Sequence, residues 1–271
     1  MKEPIVETKA EVKLDLTSTV ESAYNDALKK PAKSSSDIVT TFIDFIHNTL
    51  LYPMQKYNLY AKDKLQRYVM TLEERVQQIP MENLVSPKVN ILGPTMEGLK
   101  YNLDEEHIKE MFTNILLSDM DNRKQNRVLP SYIEIVKQLS KEDAEFLTNL
   151  KKFNGRFCSI SLELEEQNTE GSIPLNQYII YNYKYNEFSK TTSFGMSKLD
   201  SLVTDTLKMH RLIEQNYEKY YTSSLANKEY NSLFDCVKSN YKLQEGQKLT
   251  YSKGIVRLTS FGKNFIDICL S

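Results

Sequence analysis

Acidic, amide and basic side chains occur together directly after a helical segment of the chain. Asp119, Asp121 and Asn122 stand just before Arg123 in the polar stretch 121–127. Carboxylate and amide oxygens are the ligands that Mg²⁺ prefers in proteins, and arginine holds phosphate groups through paired N–H donors. The pattern therefore suits a site for Mg²⁺ or for a nucleotide phosphate. It equally suits capping of a helix C-terminus together with surface ion pairs.

The next predicted helix adds more polar residues to this region. Glu134 and Gln138 are four residues apart, so they lie on one face of a helix that could face the polar stretch. The sequence predicts a candidate functional surface where the helices join, made of Asp119, Asp121, Asn122, Arg123, Glu134, Lys137 and Gln138. The alternative interpretation is a structural network that fixes how the helices cross.

A second set of residues could bind nucleic acid. The order of a helix at 141–153, a helix at 197–208, a hairpin at 249–258 and a closing helix is similar to a winged helix-turn-helix with insertions. Basic side chains in that region would contact phosphates. The candidate contacts are Lys198, Lys208, Lys248, Lys253 and Arg257. Asp200 and Asp205 cancel the charge of the predicted recognition helix, which weakens the case for DNA.

The common catalytic templates are absent from the sequence. It contains no GxxxxGK[ST], GxGxxG, HExxH or GxSxG motif, which are the usual phosphate, dinucleotide, zinc and esterase patterns. None of its three histidines has an arginine five to seven residues before it, so an RNase motif of the Arg-x(4–6)-His kind is also disfavoured. The sequence therefore predicts no catalytic residues, no metal site and no cofactor.

The composition is that of a globular protein with few chain breakers. Hydrophobic residues make up 40% and charged residues 26%, and 35 Lys and Arg against 36 Asp and Glu give a formal net charge of −1. This balance excludes a strongly basic nucleic-acid coat and a strongly acidic tail. Only eight glycines and eight prolines occur in 271 residues, which favours long, uninterrupted helices.

Hydrophobic periodicity predicts a mainly α fold of the α+β class. Helices are predicted at 16–30, 38–51, 53–79, 88–101, 104–121, 131–139, 141–153, 197–208 and 226–240, with a last helix after Thr259. Alternating patterns predict short strands at 160–164, 178–185 and 210–213, and a hairpin at 249–258. We therefore expect a helical domain at 1–139, in which 1–15 is a mobile arm, followed by a winged-helix-like α+β domain with a small β-sheet at 140–271.

Cysteine spacing and hydropathy indicate where the protein works. Cys158, Cys236 and Cys269 are few and far apart, which fits a reducing compartment. The N-terminus is charged throughout and lacks the apolar core of a signal peptide. The most apolar stretch, 38–52, contains Asp44 and is too short to span a bilayer. We therefore expect a cytoplasmic protein that makes no membrane contact.

Several segments of the chain resemble one protein family in their sequence and order. They are YNLDEEHIKEMFTNILLSDMD (101–121), LPSYIEIVKQLSKEDAEFL (129–147), KLDSLVTDTLKMHRLIE (198–214) and KGIVRLTSFGKNFIDIC (253–269). On these residues the chain, over roughly 40–270, resembles the Abi-alpha family of bacterial proteins, which are named for abortive infection against phage. The resemblance implies a role in phage defence. It brings no settled mechanism and no catalytic residues.

Three functions are consistent with the sequence. We expect a phage-resistance protein that acts without catalysis, as a sensor or effector that binds a protein partner of phage or host origin and can form a homo-oligomer. The first alternative is a winged-helix regulator that binds DNA. The second is a metal-dependent hydrolase acting on nucleic acid or a nucleotide through Asp119 and Asp121.

Overall fold

The structure is a computed structural model of the chain. It describes residues 35–46, 59–166, 171–186, 191–198 and 201–270. The predicted mobile arm at 1–15 and the predicted helix at 16–30 lie outside these residues. The described helices and strands confirm a mainly α, α+β protein. None of the described helices combines the length and the apolar character that crossing a bilayer requires.

Contacts within the chain divide it into two compact units. The first contains Met1–Asp104 and Ile115–Ile133, and the second contains Glu105–Asn114 and Glu134–Ser271. The predicted domain boundary between residues 139 and 140 stays a prediction.

Helices dominate the described part of the first unit and the segments that lead out of it. They are α1 (Ser35–Ile46), α2 (Leu59–Val76), α3 (Val89–Tyr101), α4 (Glu106–Asp119) and α5 (Pro130–Val136), with short 3-10 turns at Met81–Asn83 and Gln125–Arg127. Helix α1 packs against α2. Leu72 and Val76 are fully buried one helical turn apart, and Ile79 after the helix is also buried. The apolar stripe of α2 therefore faces a core.

The second unit combines an antiparallel sheet with helices. Its further elements are α6 (Lys141–Lys152), β1 (Arg156–Glu166), β2 (Ser172–Asn186), β3 (Thr191–Lys198), α7 (Ser201–Met209), β4 (Ile213–Asn216), α8 (Ser224–Lys238), β5 (Gln247–Leu258) and α9 (Ser260–Cys269). The five strands form one sheet in the order β3-β2-β1-β5-β4. Helix α8 covers the sheet, and its Tyr230, Leu233 and Val237 pack with Ile160 and Leu162 of β1.

Two helices of this unit, α6 and α9, begin at residues whose side chains cap the helix N-terminus. Ser140 and Asp143 form a capping box at the start of α6, in which each side chain accepts a hydrogen bond from the other residue's backbone N–H. Thr259 caps α9, because its hydroxyl accepts a hydrogen bond from the backbone N–H of Gly262. Residues 155–158 and 254–259 therefore lie where two helices meet two strands.

The predicted hairpin at 249–258 is wrong, because Gln247–Leu258 forms one continuous strand. Gly254, which lies within the predicted hairpin, instead pairs with Ser159 in the interior of the sheet. A Cβ atom at this position would lie 2.3 Å from the Tyr217 ring and 2.8 Å from the carbonyl oxygen of Asn216. The glycine therefore permits a close approach between neighbouring strands and does not make a turn.

Candidate functional site

Backbone pairing brings together the loops that carry the first predicted site. Leu84 and Asp121 form an isolated antiparallel bridge. The N–H of Val85 donates to the Met120 carbonyl at 2.9 Å, and the N–H of Asn122 donates to the Asn83 carbonyl at 2.9 Å. These bonds hold the end of α4 against the segment that enters α3, so the polar groups of the two loops meet.

Asp119 is the most buried polar residue of this junction. Its side chain is 0% exposed, and one oxygen, Oδ2, accepts a hydrogen bond from the backbone N–H of Lys88 at 2.6 Å. Lys88 is the N-cap residue of α3, so the carboxylate anchors the start of that helix. The other oxygen, Oδ1, has no hydrogen-bond partner among the described residues, and Lys88 Nζ lies 4.0 Å from it. Burial raises the pKa of Asp119 to about 6, against the opposing effect of the bond and charge of Lys88.

Asp121 is held by the arginine two residues later. Arg123 Nη2 donates to Asp121 Oδ2 at 2.6 Å, and Arg123 Nε donates to Oδ1 at 2.8 Å. This two-point hydrogen bond holds the pKa of Asp121 below its usual range and raises the pKa of Arg123. Both carboxylate oxygens of Asp121 are therefore already engaged by a cation of the chain.

Two residues that the sequence interpretation missed complete this network. Gln125 Nε2 donates to the carbonyl oxygens of Asp119 at 2.8 Å and Ser86 at 3.2 Å. Lys88 Nζ donates in turn to the carbonyl oxygen of Gln125 at 3.1 Å. We call Lys88, Asp119, Asp121, Arg123 and Gln125 the acidic junction. The polar character of 121–127 was the only sequence signal for Gln125, and nothing local pointed to Lys88, because it lies 31 residues before Asp119.

The side chains of the remaining residues of the predicted surface lie outside this network. Asn122 approaches the Glu82 carbonyl at 3.5 Å through its side-chain amide. Lys137 Nζ pairs with Glu134 Oε1 at 3.1 Å, and Gln138 Nε2 donates to the Glu134 carbonyl at 3.0 Å. Glu134, Lys137 and Gln138 belong to the second unit by their contacts, whereas the acidic junction belongs to the first.

The predicted nucleic-acid contacts lie on α7 and the sheet, and most are paired. Lys208 Nζ lies 2.7 Å from Asp205 Oδ1, Lys248 Nζ lies 3.7 Å from Glu165 Oε2, and Arg257 pairs with Glu214. Lys253 Nζ donates to Asn227 Oδ1 at 2.8 Å and lies 5.6 Å from the ring centroids of Tyr220 and Tyr230. Lys198 ends β3, and its side chain lies outside the described part of the structure.

The second unit also contains a cleft that the sequence interpretation missed. Two adjoining hollows of about 470 and 290 Å³ share Asn154, Arg156 and Tyr221 in their linings. The larger is also lined by Glu214, Arg257, Thr259 and Lys263, and the smaller by Lys152, Phe153, Leu225 and Glu229. We call these two hollows together the Arg156 cleft. No local motif marks it, since its residues come from three strands and three helices far apart in the sequence.

The thiols differ sharply in their surroundings. Cys158 borders the smaller hollow of the cleft and is buried, and its Sγ donates to Glu229 Oε2 at 2.9 Å. Burial, together with this bond, raises the pKa of Cys158 to about 12. Burial also raises the pKa of Cys269 well above its usual value, whereas Cys236 is exposed. The two buried thiols stay protonated at neutral pH and are poor nucleophiles.

The geometry defines what each region can do. In the part of the chain that the structure describes, no three His, Cys, Asp or Glu side chains come together as a metal site. The acidic junction ties two loops and a helix start together, while the Arg156 cleft presents cationic groups in a hollow.

Comparison with known protein families gives a match over most of the chain. A family model described as abortive infection alpha matches residues 61–269. Neither a curated protein nor a solved structure matches the chain.

Proposed function

The chain belongs to the abortive infection alpha family, which supports a role in abortive infection and phage resistance, and from this premise we propose that it acts by binding a protein partner, without catalysis, as a sensor or effector of that defence. The single observation that carries this proposal is the family match over residues 61–269. The structure supports the mode of action through two features, the closed acidic junction and an exposed apolar face on α7.

The acidic junction is better suited to holding the fold than to turning over a substrate. Both oxygens of Asp121 are bound by Arg123, and Asp119 is 0% exposed with one oxygen on the Lys88 N–H. A catalytic carboxylate must reach the reacting atoms or a bound metal ion. These two carboxylates instead reach the backbone and a neighbouring arginine.

Helix α7 carries the apolar face that we assign to the partner. Val203 and Leu207 point into the core, while Leu202 and Met209 are 74% and 66% exposed. Leu202 and Met209 are seven residues apart, so they lie on one face of the helix, two turns from each other. Apolar anchors at this spacing are typical of helices that dock into another protein, and methionine adapts its shape to a partner.

Phage challenge of a culture that expresses this chain tests the proposal. We expect survival at low multiplicity of infection and collapse of the culture at high multiplicity, as abortive infection requires. Replacing both α7 anchors, Leu202→Ser with Met209→Ser, should reduce protection at least tenfold, measured as efficiency of plating. The matched control is Leu243→Ser, which removes a side chain that is 47% exposed in the same unit but lies outside α7.

Two outcomes would contradict this mode of action. The first is full protection by the double variant, which would show that the α7 face is not the binding surface. The second outcome is a loss of protection by Asp121→Asn, since we expect this variant to protect as the wild type does. Loss of protection by a folded Asp121→Asn protein, together with Mg²⁺ or Mn²⁺ binding by the wild type in calorimetry, would favour the metal-dependent hydrolase.

The DNA-binding alternative has less support. Lys208, Lys248 and Arg257 are paired with carboxylates, so a DNA phosphate would have to compete with those partners. The hairpin that would serve as the wing is one continuous strand, so the winged-helix assignment rests on the order of helices alone. In an anisotropy titration with duplex DNA we expect no binding near physiological salt. Salt-sensitive binding that Lys253→Ala and Arg257→Ala abolish would establish the regulator instead.

A further inference from the structure

The register of the sheet places two arginines side by side in the Arg156 cleft. Arg156 of β1 is the direct partner of Arg257 of β5, and both side chains are exposed. Side chains at directly opposite positions of an antiparallel pair lie about 4.5–5.5 Å apart at Cβ, and like charges there destabilise the sheet. Such a pair is tolerated when negative charge lies beside it.

Only one of these two arginines has an acidic partner. Arg257 pairs with Glu214, which lies opposite it on β4. The guanidinium of Arg156 lies 4.8 Å from the centroid of the Tyr221 ring and makes no ion pair or hydrogen bond within the described residues. An arginine whose flat face is fixed by an aromatic ring keeps its N–H edge available for a ligand.

A further cation reaches the same hollow from a different element. Lys263, in the first turn of α9, is exposed and has no acidic partner in the described ranges of the chain. Ser260, the first residue of α9, also lines this hollow, so the positive end of a ten-residue helix adds to the field. Cationic groups from β1, β5 and α9 thus surround one space. Among the described residues that line this hollow a single carboxylate, Glu214, opposes them, and Glu229 lines the adjoining hollow.

We propose that the Arg156 cleft binds a phosphate-bearing small molecule, whose phosphate is held by Arg156 and Lys263. A phosphate monoester suits this place because it carries close to two negative charges and three acceptor oxygens, enough for several donors at once. The adjoining hollow, where Phe153 and Leu225 supply apolar surface, takes the rest of the molecule. The two hollows, of about 470 and 290 Å³, have the size of a site for one small ligand.

Calorimetric titration of the full chain with adenosine monophosphate, inorganic phosphate and adenosine tests this site. We expect adenosine monophosphate to bind at least tenfold more tightly than inorganic phosphate, and adenosine to give no measurable binding. Arg156→Ala and Lys263→Ala should each weaken binding of adenosine monophosphate at least tenfold. Both residues are exposed, so the variants are expected to fold, which circular dichroism and thermal unfolding check.

The matched control is Lys248→Ala. Lys248 lies on the same strand as Arg257 but nine residues away, about 30 Å along β5. This variant should bind adenosine monophosphate within twofold of the wild type.

Four results would overturn the proposal. They are the absence of binding by both adenosine monophosphate and inorganic phosphate, equal binding by adenosine and adenosine monophosphate, unchanged binding by the folded Arg156→Ala and Arg156→Gln variants, and equal weakening by Lys248→Ala. The last would indicate a diffuse electrostatic surface of the kind that binds nucleic acid.

Discussion

The acidic junction and the Arg156 cleft each gather charged side chains where helices and loops meet, but they balance that charge differently. In the junction, Arg123 matches the charge of Asp121, while Asp119 is buried with one oxygen on the Lys88 N–H and has its pKa raised to about 6. In the cleft, Arg257 has Glu214, while Arg156 has an aromatic ring and a second arginine beside it. Charges that are matched inside the protein stabilise its fold. Charges that are left unmatched in a hollow are available to a ligand.

This comparison predicts that changes in the junction alter stability and that changes in the cleft alter binding. The expected effects on stability decrease from Asp119 through Arg123 to Arg156.

The pH dependence of stability should reveal the titration of the Asp119 carboxyl. Its pKa is raised from 3.8 to about 6, so the stability that its neutral form contributes is present below pH 4 and is lost as the pH rises through about 6. Over that window the free energy of unfolding of the wild type, relative to Asp119→Asn, should fall by up to about 3 kcal/mol. Urea unfolding of both proteins at pH 4, 5, 6 and 7 measures this. A constant difference between them would show that Asp119 titrates normally.

Removing the Asp119 carboxyl should lower the free energy of unfolding by a smaller amount that is still easily measured. Asp119→Ala leaves the backbone N–H of Lys88 without its 2.6 Å acceptor at the start of α3. At pH 5, where the carboxyl is mostly neutral, we expect the free energy of unfolding to fall by about 2 kcal/mol. Asp119→Asn is the control, because its amide oxygen can still accept that hydrogen bond. Equal destabilisation by both variants would contradict the anchoring role.

Removing Arg123, the exposed partner of Asp121, should have a smaller effect on stability. Arg123→Ala removes a side chain that is 54% exposed but leaves Asp121, 5% exposed, without its two-point partner. We expect the thermal unfolding midpoint to fall, but by less than in Asp119→Ala. The loss should shrink in acid once Asp121, whose pKa lies below its usual range, becomes protonated. Lys124→Ala serves as a control for general charge. A thermal unfolding midpoint equal to that of the wild type would place Asp121 among ordinary surface pairs.

The cleft should show the smallest effect on stability. Arg156→Ala removes both the stacking on Tyr221 and the repulsion from Arg257, two effects of opposite sign. We expect the free energy of unfolding to change by no more than about 0.5 kcal/mol. Chemical denaturation at low and high salt measures it, since the repulsion is screened by salt. A loss as large as that of Asp119→Ala would mean that Arg156 is a structural residue, and the contrast between the two regions would fail.

Local signals in the sequence predicted most helices of this fold. The capping box at Ser140 and Asp143 and the cap at Thr259 place two helix starts within a residue, because the bonds involved span only three positions. The ion pair of Asp121 with Arg123 is equally local. Such contacts depend on chain geometry over one turn, which the sequence alone determines.

Contacts between residues far apart in the chain could not be predicted from the sequence. Strand β3 (Thr191–Lys198) was missed, and Gly254 suggested a turn where the strand continues. The need for glycine there comes from the ring of Tyr217, the residue that directly follows the neighbouring strand β4. Likewise Arg156 and Arg257, which are paired by the register of β1 and β5, are 101 residues apart in the chain. The sequence near either residue therefore gave no indication of the cleft. Lys88 was missed for the same reason.

The contrast among the three thiols allows the native chain to be labelled with a dye at a single site. Cys158 and Cys269 are buried with raised pKa values, whereas Cys236 is exposed on α8. A maleimide dye should therefore couple once per native molecule, at Cys236, without any engineered cysteine. Fluorescence from that single dye could then follow association with a partner during infection in cell extracts, and unfolding would be recorded as two further dyes added per chain.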